Sequence, residues 1–261
     1  MTYDGGRGMS EQTDVWFRRF KRVPRPRLRL VGLPHAGGAA SMFRNWPQWL
    51  PDDVELLGAC YPGRQDRLGD PCVTRMEELA DALTEALLPV AEQPLALFGH
   101  SMGASVAFEV AHRLEHRHGV VPTVVFVSGQ QPPARYRNNQ AHLGGDAGLL
   151  AEVERLGGDG TKFLDSPEMR ELLMPAIRGD FALMGSYRPD PSLRITAPVE
   201  AWVGDADCDV TVEETRAWSD TTSGAFNLRV FSGDHFYLTA DTEEFGRRVD
   251  ERLSLAAVGT H

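Results

Sequence analysis

The sequence is poor in cysteine and has no long apolar run. It contains three cysteines, Cys60, Cys72 and Cys208, in 261 residues. A small, odd and scattered set argues against a disulfide framework and predicts a reducing environment. No apolar stretch approaches the roughly 18 residues that a membrane-spanning helix needs, and the first 14 residues lack the apolar centre of a secretory signal. We therefore expect a cytoplasmic protein that does not enter a membrane.

The chain is acidic overall, but its N-terminal part is basic. The formal net charge is -10, yet residues 1–29 contain eight Lys or Arg against three Asp or Glu. Because an acidic chain binds polyanions poorly, we expect no nucleic-acid partner. Arg25, Arg27 and Arg29 alternate, which favours the exposed face of an edge strand, where charge discourages aggregation. The alternative is that residues from Arg18 to Arg29 form a docking patch for an acidic protein partner.

Strand and helix patterns alternate along most of the chain. The strand patterns lie at residues 15–20, 27–34, 51–62, 95–98, 122–129, 198–205 and 227–233. Helical patterns lie at 76–87, after residue 101 and at 242–256, and the glycine-rich HAGGAASMF (35–43) reads as a loop that opens a helix. Continuous β-branched runs such as PTVVFVSG are typical of parallel strands covered on both faces. The alternation predicts an α/β fold with a mostly parallel sheet and helices on both faces.

One long segment interrupts this alternation. About residues 130–197 contain no convincing strand but two helical patterns, at 147–158 and 166–187. Ser166 is a plausible cap for the second, with Pro167 at its first position. A helical insertion at the carboxyl side of a parallel sheet is the usual form of a lid, although a helical excursion on the flank stays possible. We expect a flexible tail at 1–14 and one domain at 15–261, with this insertion as its lid.

The pentapeptide GHSMG, residues 99–103, lies between a predicted strand and a predicted helix. This is the G-x-S-x-G pattern in the context that a nucleophile elbow requires. The glycines matter because the turn strains the serine backbone and brings neighbouring backbone close. Ser101 is therefore the candidate nucleophile, although a plain glycine-rich turn would show the same letters.

A serine nucleophile needs a histidine base, and chain position separates the eight histidines. In this fold the acid and then the histidine follow the serine, each in a loop after a strand. His235 meets this condition because it directly follows the strand pattern at 227–233. The others precede the serine (His35), lie inside the elbow (His100), or belong to the following helix, the insertion or the C-terminus. His235 is the predicted base.

The acid should come from the loop after the strand at 198–205, which offers Asp205, Asp207 and Asp209. An EF-hand calcium loop that began at Asp205 would need glycine and glutamate where Val210 and Arg216 stand, so we expect no metal there. We predict Asp207, because the turn gives its carboxylate room to reach the histidine, with Asp205 as the alternative.

The developing oxyanion needs two backbone donors. One should be the N–H of Met102, directly after the nucleophile. The other should come from LPHAGGAA, the loop after the second strand, where Ala36 is best placed and Gly37 and Gly38 permit a close approach to substrate. The alternative for the two glycines is a flexible helix entry.

The motifs LPHAGGAASMF, YPGRQDR, LFGHSMGASVAFEVA, GDADCDV and GDHFYL occur in this order between about Trp16 and Leu253. Together they resemble the type II thioesterases that accompany modular polyketide and non-ribosomal peptide synthases. Two departures are Cys208, where the family commonly has proline, and Asp234, where a second glycine is common before the histidine. Asp234 could perturb His235.

The resemblance implies an α/β-hydrolase fold and hydrolysis of acyl chains from the phosphopantetheine arm of carrier proteins. It implies that Ser101, Asp207 and His235 form the triad, that Ala36 and Met102 supply the oxyanion hole, and that no cofactor is needed. We expect a monomer whose partner is an acyl or peptidyl carrier protein. Six apolar lid residues are candidates for the wall of an acyl chamber or for packing against one another: Leu172, Leu173, Met174, Phe181, Leu183 and Met184.

Three other functions remain open on the sequence. The same triad would serve a carboxylesterase or lipase acting on small oxygen esters. The same acyl-serine would permit acyl transfer to an alcohol or amine. A hydrolase-fold binding protein without turnover is disfavoured, because a pure binder has no need of all three triad residues.

Overall fold

The computed structural model describes residues 11–138, 140–157, 164–240 and 242–256. Within these residues a seven-stranded sheet has the order β1-β3-β2-β4-β5-β6-β7. Neighbouring strands run parallel except at the edge, where β1 is antiparallel to β3. The strands are β1 Phe17–Lys21, β2 Leu28–Leu33, β3 Val54–Ala59, β4 Leu95–His100, β5 Val124–Ser128, β6 Val199–Gly204 and β7 Phe226–Phe231. The predicted mostly parallel sheet is confirmed.

The helices are α1 Glu11–Trp16, α2 Met76–Leu87, α3 Met102–His118, α4 Gly145–Leu156, α5 Pro167–Ser186, α6 Val212–Arg216, α7 Tyr237–Ala240 and α8 Thr242–Ala256. In the described part of the chain, no helix is long and apolar enough to cross a membrane. The glycine-rich loop after β2 leads into short 3₁₀ turns at 40–43 and 46–48 rather than into the expected α-helix.

Both faces of the sheet are covered, and β4 shows how. All six of its residues are buried, and alternate side chains face opposite sides. Leu95 and Leu97 belong to a core cluster shared with α2 and α3, whereas Ala96 and Phe98 belong to an aromatic cluster shared with α8. Because water reaches neither face, the strand consists of a continuous apolar run rather than of alternating polar and apolar residues.

The N-terminal segment departs from the prediction. Residues 11–14, expected to be part of a loose tail, begin α1, and the strand expected from residue 15 begins at Phe17. The buried Thr13 hydroxyl donates a hydrogen bond of 2.8 Å to the Ala86 carbonyl at the end of α2. This contact fixes the helix through a residue 73 positions away, which no local pattern reveals. Residues 1–10 of the predicted tail lie outside the described residues.

The expectation that Arg25, Arg27 and Arg29 line an edge strand is wrong. β2 lies inside the sheet between β3 and β4, and β1 takes the edge. Arg29 donates to Glu55 at 2.6 Å and Arg27 to Asp53 at 2.7 Å, so acidic side chains of the β3 region neutralise both. The prediction failed because strand order is set by tertiary contacts, which the alternation of arginines does not reveal.

The insertion contains the two expected helices, α4 and α5. The Ser166 hydroxyl accepts a hydrogen bond from the Met169 N–H, so Ser166 caps α5 as predicted. A separate small apolar cluster joins the two helices, and its buried members are Leu149, Leu164, Met174, Ile177 and Phe181. Ala36, in the loop after β2, packs against this cluster. The insertion therefore rests on the loop that holds the predicted oxyanion donor.

Candidate active site

Ser101 occupies a strained turn between β4 and α3. Its φ of 53° and ψ of -123° are unusual for a residue with a side chain. A Cβ on Gly99 would lie 1.9 Å from the Gly103 carbonyl oxygen, and a Cβ on Gly103 would lie 2.0 Å from that of Leu33. Side chains at these two positions would not fit. The turn holds Ser101 at the N-terminus of α3, where backbone N–H groups have no partner within the helix.

Asp207 and His235 meet beyond the carboxyl ends of β6 and β7. The Asp207 Oδ2 and His235 Nδ1 atoms are 2.9 Å apart. The other carboxylate oxygen accepts hydrogen bonds from the backbone N–H groups of Asp209 (2.8 Å) and Val210 (3.1 Å). Burial alone would raise the pKa of Asp207, but His235 and these two donors outweigh it and lower the pKa. Asp207 is thus held as a carboxylate that orients the imidazole.

The second nitrogen of His235 is left available. Its Nε2 atom is buried and has no hydrogen-bond partner among the described residues. With Nδ1–H directed to Asp207, Nε2 carries the lone pair that a general base uses. A buried polar atom without a partner is costly, so this atom marks a position that a reacting group can fill.

Asp205 and Asp209 have other partners. Asp205 Oδ1 accepts a hydrogen bond of 2.9 Å from the Gly233 N–H and so supports the loop that carries His235. Asp209 Oδ1 accepts one of 2.7 Å from Arg155 of the helix α4. The structure therefore pairs His235 with Asp207 rather than with Asp205. Cys208, one of the two departures from the family pattern, contacts the same Arg155.

The two predicted oxyanion donors come from adjacent segments. Met102 is the first residue of α3, and its side chain is buried. Ala36 lies in the loop that follows β2. The close approach of Gly103 to the Leu33 and Pro34 carbonyls brings the start of that loop against the first turn of α3. Two N–H donors from a loop and a helix N-terminus are the usual components of an oxyanion hole.

Two further histidines lie beside His235. The ring centroids of His100 and His235 are 5.0 Å apart, and those of His35 and His100 are 6.1 Å apart. His100 Nδ1 lies 2.9 Å from the Ser128 hydroxyl, which lies 2.6 Å from the Tyr237 hydroxyl. Burial lowers the pKa of His35 to about 4 and that of His100 well below its usual value, and the positive charge of a protonated His235 adds to both shifts. Both rings are therefore neutral at neutral pH.

The six lid candidates separate into different environments. Met174 and Phe181 belong to the cluster between α4 and α5, and Leu173 packs at its margin. Leu183 and Met184 are part of the main core, and Leu172 is exposed. Ile177, which is not among these six candidates, lies against the loop after β2, since a Cβ on Gly37 would be 3.0 Å from its side chain. Its helical spacing of three residues from Met174 and four from Phe181 would have placed it on the same face.

A strained serine between strand and helix, followed in chain order by an aspartate and a histidine in later loops, defines a hydrolase of the α/β-hydrolase fold. Residues 28–253 match the family model of the thioesterase domain. The chain belongs to this family of enzymes that act on thioester bonds.

Individual relatives give the same result. The chain is 42% identical over 248 residues to the thioesterase PikA5 of Streptomyces venezuelae, covering 95% of this chain and 88% of that protein. Its structure is similar to that of the type II thioesterase BorB from the borrelidin biosynthetic cluster, with a TM-score of 0.81, 37% identity, and 92% and 97% of the two chains covered. It is also similar to YbtT, a type II thioesterase from the yersiniabactin NRPS/PKS pathway, with a TM-score of 0.81, 28% identity, and 92% and 99% covered.

Proposed function

We propose that this protein is a stand-alone editing thioesterase that releases acyl groups from the phosphopantetheine arm of acyl or peptidyl carrier proteins. The observation that best supports the chemistry is the Asp207–His235 pair, whose unpartnered Nε2 atom leaves a base available beside the elbow. Support for the substrate comes from PikA5, BorB and YbtT, which the chain resembles over most of its length.

In the proposed acylation step, His235 Nε2 takes the Ser101 hydroxyl proton while Oγ attacks the thioester carbonyl carbon. The N–H groups of Ala36 and Met102 hold the oxyanion that forms. The carbon–sulfur bond then breaks, and the pantetheine sulfur leaves with the proton from the imidazolium. A thiol, with an ordinary pKa near 8.5, leaves readily, so a single histidine suffices.

In the proposed deacylation step, His235 removes a proton from water, and the resulting hydroxide attacks the acyl-serine carbonyl. The ester bond to Ser101 breaks, the serine oxygen regains the proton from His235, and the free acid departs. Asp207 stabilises the imidazolium in both steps without taking the proton itself. The neutral His35 and His100 add no positive charge beside that imidazolium.

The test compares hydrolysis of an acyl-loaded carrier protein with that of a p-nitrophenyl ester of the same acyl chain. We expect a higher kcat/KM on the carrier-bound thioester, and loss of both activities in Ser101→Ala with unchanged circular dichroism. Ester turnover without carrier preference would favour the esterase alternative. Full activity in the Ser101→Ala variant would contradict the assigned nucleophile.

Two properties of the enzyme remain proposals. We propose a cytoplasmic location, supported by the three cysteines, which are free in the structure. We also propose a monomer, which light scattering at assay concentration would test. A dimer would contradict it.

A further inference from the structure

The loop that carries Ala36 is a tight turn with a glycine in a left-handed conformation. The Gly38 N–H donates to the His35 carbonyl at 2.9 Å, so residues 35–38 form a β-turn with Ala36 and Gly37 at its centre. Gly37 has a φ of 75°, whereas Ala36 is not among the residues of positive φ. This is the signature of a type II turn. Glycine also adopts negative φ readily, so the sequence alone permits the Ala36–Gly37 peptide to flip into a type I turn.

A buried carboxylate on the lid holds that peptide. The Gly37 N–H donates to Asp180 Oδ2 at 2.7 Å, and Asp180 is only 3% exposed. In the flipped orientation the Ala36 carbonyl oxygen, rather than the Gly37 N–H, would face the carboxylate, and the two would repel. Hydrogen bonds to a charged acceptor are shorter and stronger than neutral ones. Asp180 therefore selects one of the two orientations that Gly37 allows.

Asp180 is fixed in turn by Arg64. The Arg64 Nη1 and Nη2 atoms donate to the two carboxylate oxygens at 2.6 and 2.7 Å, a bidentate pair that is buried at both ends. Arg64 Nη1 also donates to the Gly38 carbonyl at 2.9 Å. Asp180 thus accepts from the Gly37 N–H and Arg64 donates to the Gly38 carbonyl, so the pair holds two successive residues of the turn. Bidentate geometry fixes direction as well as distance, which a lysine would not do.

The helix α5, which carries Asp180, also contacts the turn at residues 35–38 through an apolar side chain. Ile177 and Asp180 are three residues apart and so share one face of the helix. That face meets the turn, since a Cβ on Gly37 would be 3.0 Å from Ile177. The half of the lid that carries Asp180 is thereby joined to the loop through a buried ion pair and an apolar contact.

We infer that Asp180 and Arg64 are positioning residues that anchor the turn at residues 35–38 through the Gly37 N–H and the Gly38 carbonyl. This anchoring fixes the adjoining His35–Ala36 peptide, which carries the Ala36 N–H, in its place facing the oxyanion. This inference rests on the proposed function, because it assigns that N–H to the reaction. Neither residue is given a contact with substrate. Their effect should consequently fall on kcat, where the oxyanion forms, and leave KM close to that of the wild type.

Single substitutions would not test this cleanly. Removal of one partner of a buried ion pair leaves the other charge uncompensated and can unfold the protein. The double variant Arg64→Met/Asp180→Leu removes both charges and the acceptor for the Gly37 N–H. The matched variant Arg64→Met/Asp180→Asn also removes both charges but keeps an acceptor oxygen at position 180. The two double variants differ in whether position 180 still offers an acceptor to the Gly37 N–H.

We expect Arg64→Met/Asp180→Leu to lose about 10- to 100-fold in kcat, part of the loss that follows removal of an oxyanion donor. Arg64→Met/Asp180→Asn should recover about tenfold of it, with similar KM in both. Arg178→Gln, which breaks the exposed ion pair between α5 and Asp146 of α4, controls for general disturbance of the helix and should match the wild type. All variants are compared below their unfolding temperatures, measured by circular dichroism.

The rate at which a fluorophosphonate modifies Ser101 gives a second readout, because that reaction also develops charge on an oxygen in the oxyanion hole. The variants should rank in the same order. If the wild type reacts with the fluorophosphonate but hydrolyses no carrier-bound thioester, the proposed substrate fails and the ranking still tests the positioning role. Equal rates in the two folded double variants, or a loss confined to KM, would overturn the inference.

Discussion

Asp205 and Asp207 lie two residues apart in one loop and have different tasks. Asp207 binds the imidazole of His235, and Asp205 binds the backbone of the loop that carries it. A hydrogen bond from a backbone N–H needs only an acceptor oxygen, which asparagine also has. The orientation and charge of an imidazolium need the carboxylate. The two positions should therefore respond differently to the same substitution.

Asp207→Asn should lower kcat by about 10³- to 10⁴-fold, because an amide neither stabilises the imidazolium nor fixes the tautomer that leaves Nε2 as acceptor. Asp205→Asn should change kcat by less than about threefold, since its oxygen can still accept from the Gly233 N–H. Steady-state hydrolysis of the acyl thioester measures both. The opposite order would assign the acid to Asp205.

The residues of the site differ in how far the sequence reveals them. Ser101 carries a local motif, and His235 follows from chain order and from its place after a strand. The same reasoning leads to the loop of the acid but leaves Asp205 as the alternative to Asp207, and the structure pairs Asp207 with His235. Arg64 and Asp180 are 116 positions apart, and neither has a pattern that points to the other. Only the folded positions of α5 and of the loop after β3 bring them together. Arg64 is visible in the sequence as part of the motif YPGRQDR, but the motif does not reveal that Arg64 pairs with Asp180.

At the scale of elements, the approach of β2 to α3 determines the elbow. The first turn of the helix lies so close to the end of β2 that a Cβ on Gly103 would be 2.0 Å from the Leu33 carbonyl oxygen. That oxygen belongs to the backbone of a central strand, which cannot move without disturbing its neighbours. The contact therefore holds the serine and the start of the loop after β2 in one rigid unit.

Gly103→Ala should lower the free energy of unfolding by about 3 kcal/mol, the upper part of the usual range for overpacking. The matched control is Gly69→Ala, where an added Cβ meets nothing within 4 Å, and we expect a change below about 0.5 kcal/mol. Urea unfolding followed by tryptophan fluorescence measures both. Equal stability of the two variants would show that the elbow can relax around a methyl group.

Elements were predicted correctly where burial of one face produces a periodic apolar pattern in the sequence. They were predicted wrongly where contacts between residues distant in sequence determine the local structure. The bounds of α8 agree with the predicted 242–256, because its apolar stripe and polar face are regular. The six residues of α1 are too few for such a pattern, and the contact between Thr13 and Ala86 holds them. The position of β2 inside the sheet was missed for a similar reason, since Arg29 alternates as it would on an edge but pairs with Glu55.

At the scale of the whole molecule, most basic side chains between Arg18 and Arg29 form ion pairs with acidic side chains from later parts of the chain. Arg18 forms an ion pair with Asp66, Arg19 with Glu55, and Arg27 with Asp53. A docking patch for an acidic carrier protein needs uncompensated charge, so these pairs weaken that alternative. The rest of the chain, which includes these acidic partners, contains 19 Lys or Arg against 34 Asp or Glu.

The histidines around the site link the stability of the whole molecule to pH. Burial, with smaller contributions from His235 and Arg64, lowers the pKa of His35 from 6.5 to about 4 in the folded protein. Between these values the unfolded chain binds a proton at position 35 and the folded chain does not. The free energy of unfolding therefore falls as the pH falls through this range, and the stabilisation is fully present only above pH 6.5. His100 acts in the same direction.

His35→Gln should make this pH dependence shallower by up to about one bound proton, because glutamine does not titrate. The measurement is the free energy of unfolding by urea at several pH values between 7 and 5, for the wild type and for the variant. Asp207, whose pKa is also lowered, loses its contribution only below its ordinary value of 3.8, outside this interval. Equal slopes for the two proteins would mean that His35 binds its proton as readily in the folded protein as in the unfolded chain. Burial would then not lower the pKa of His35.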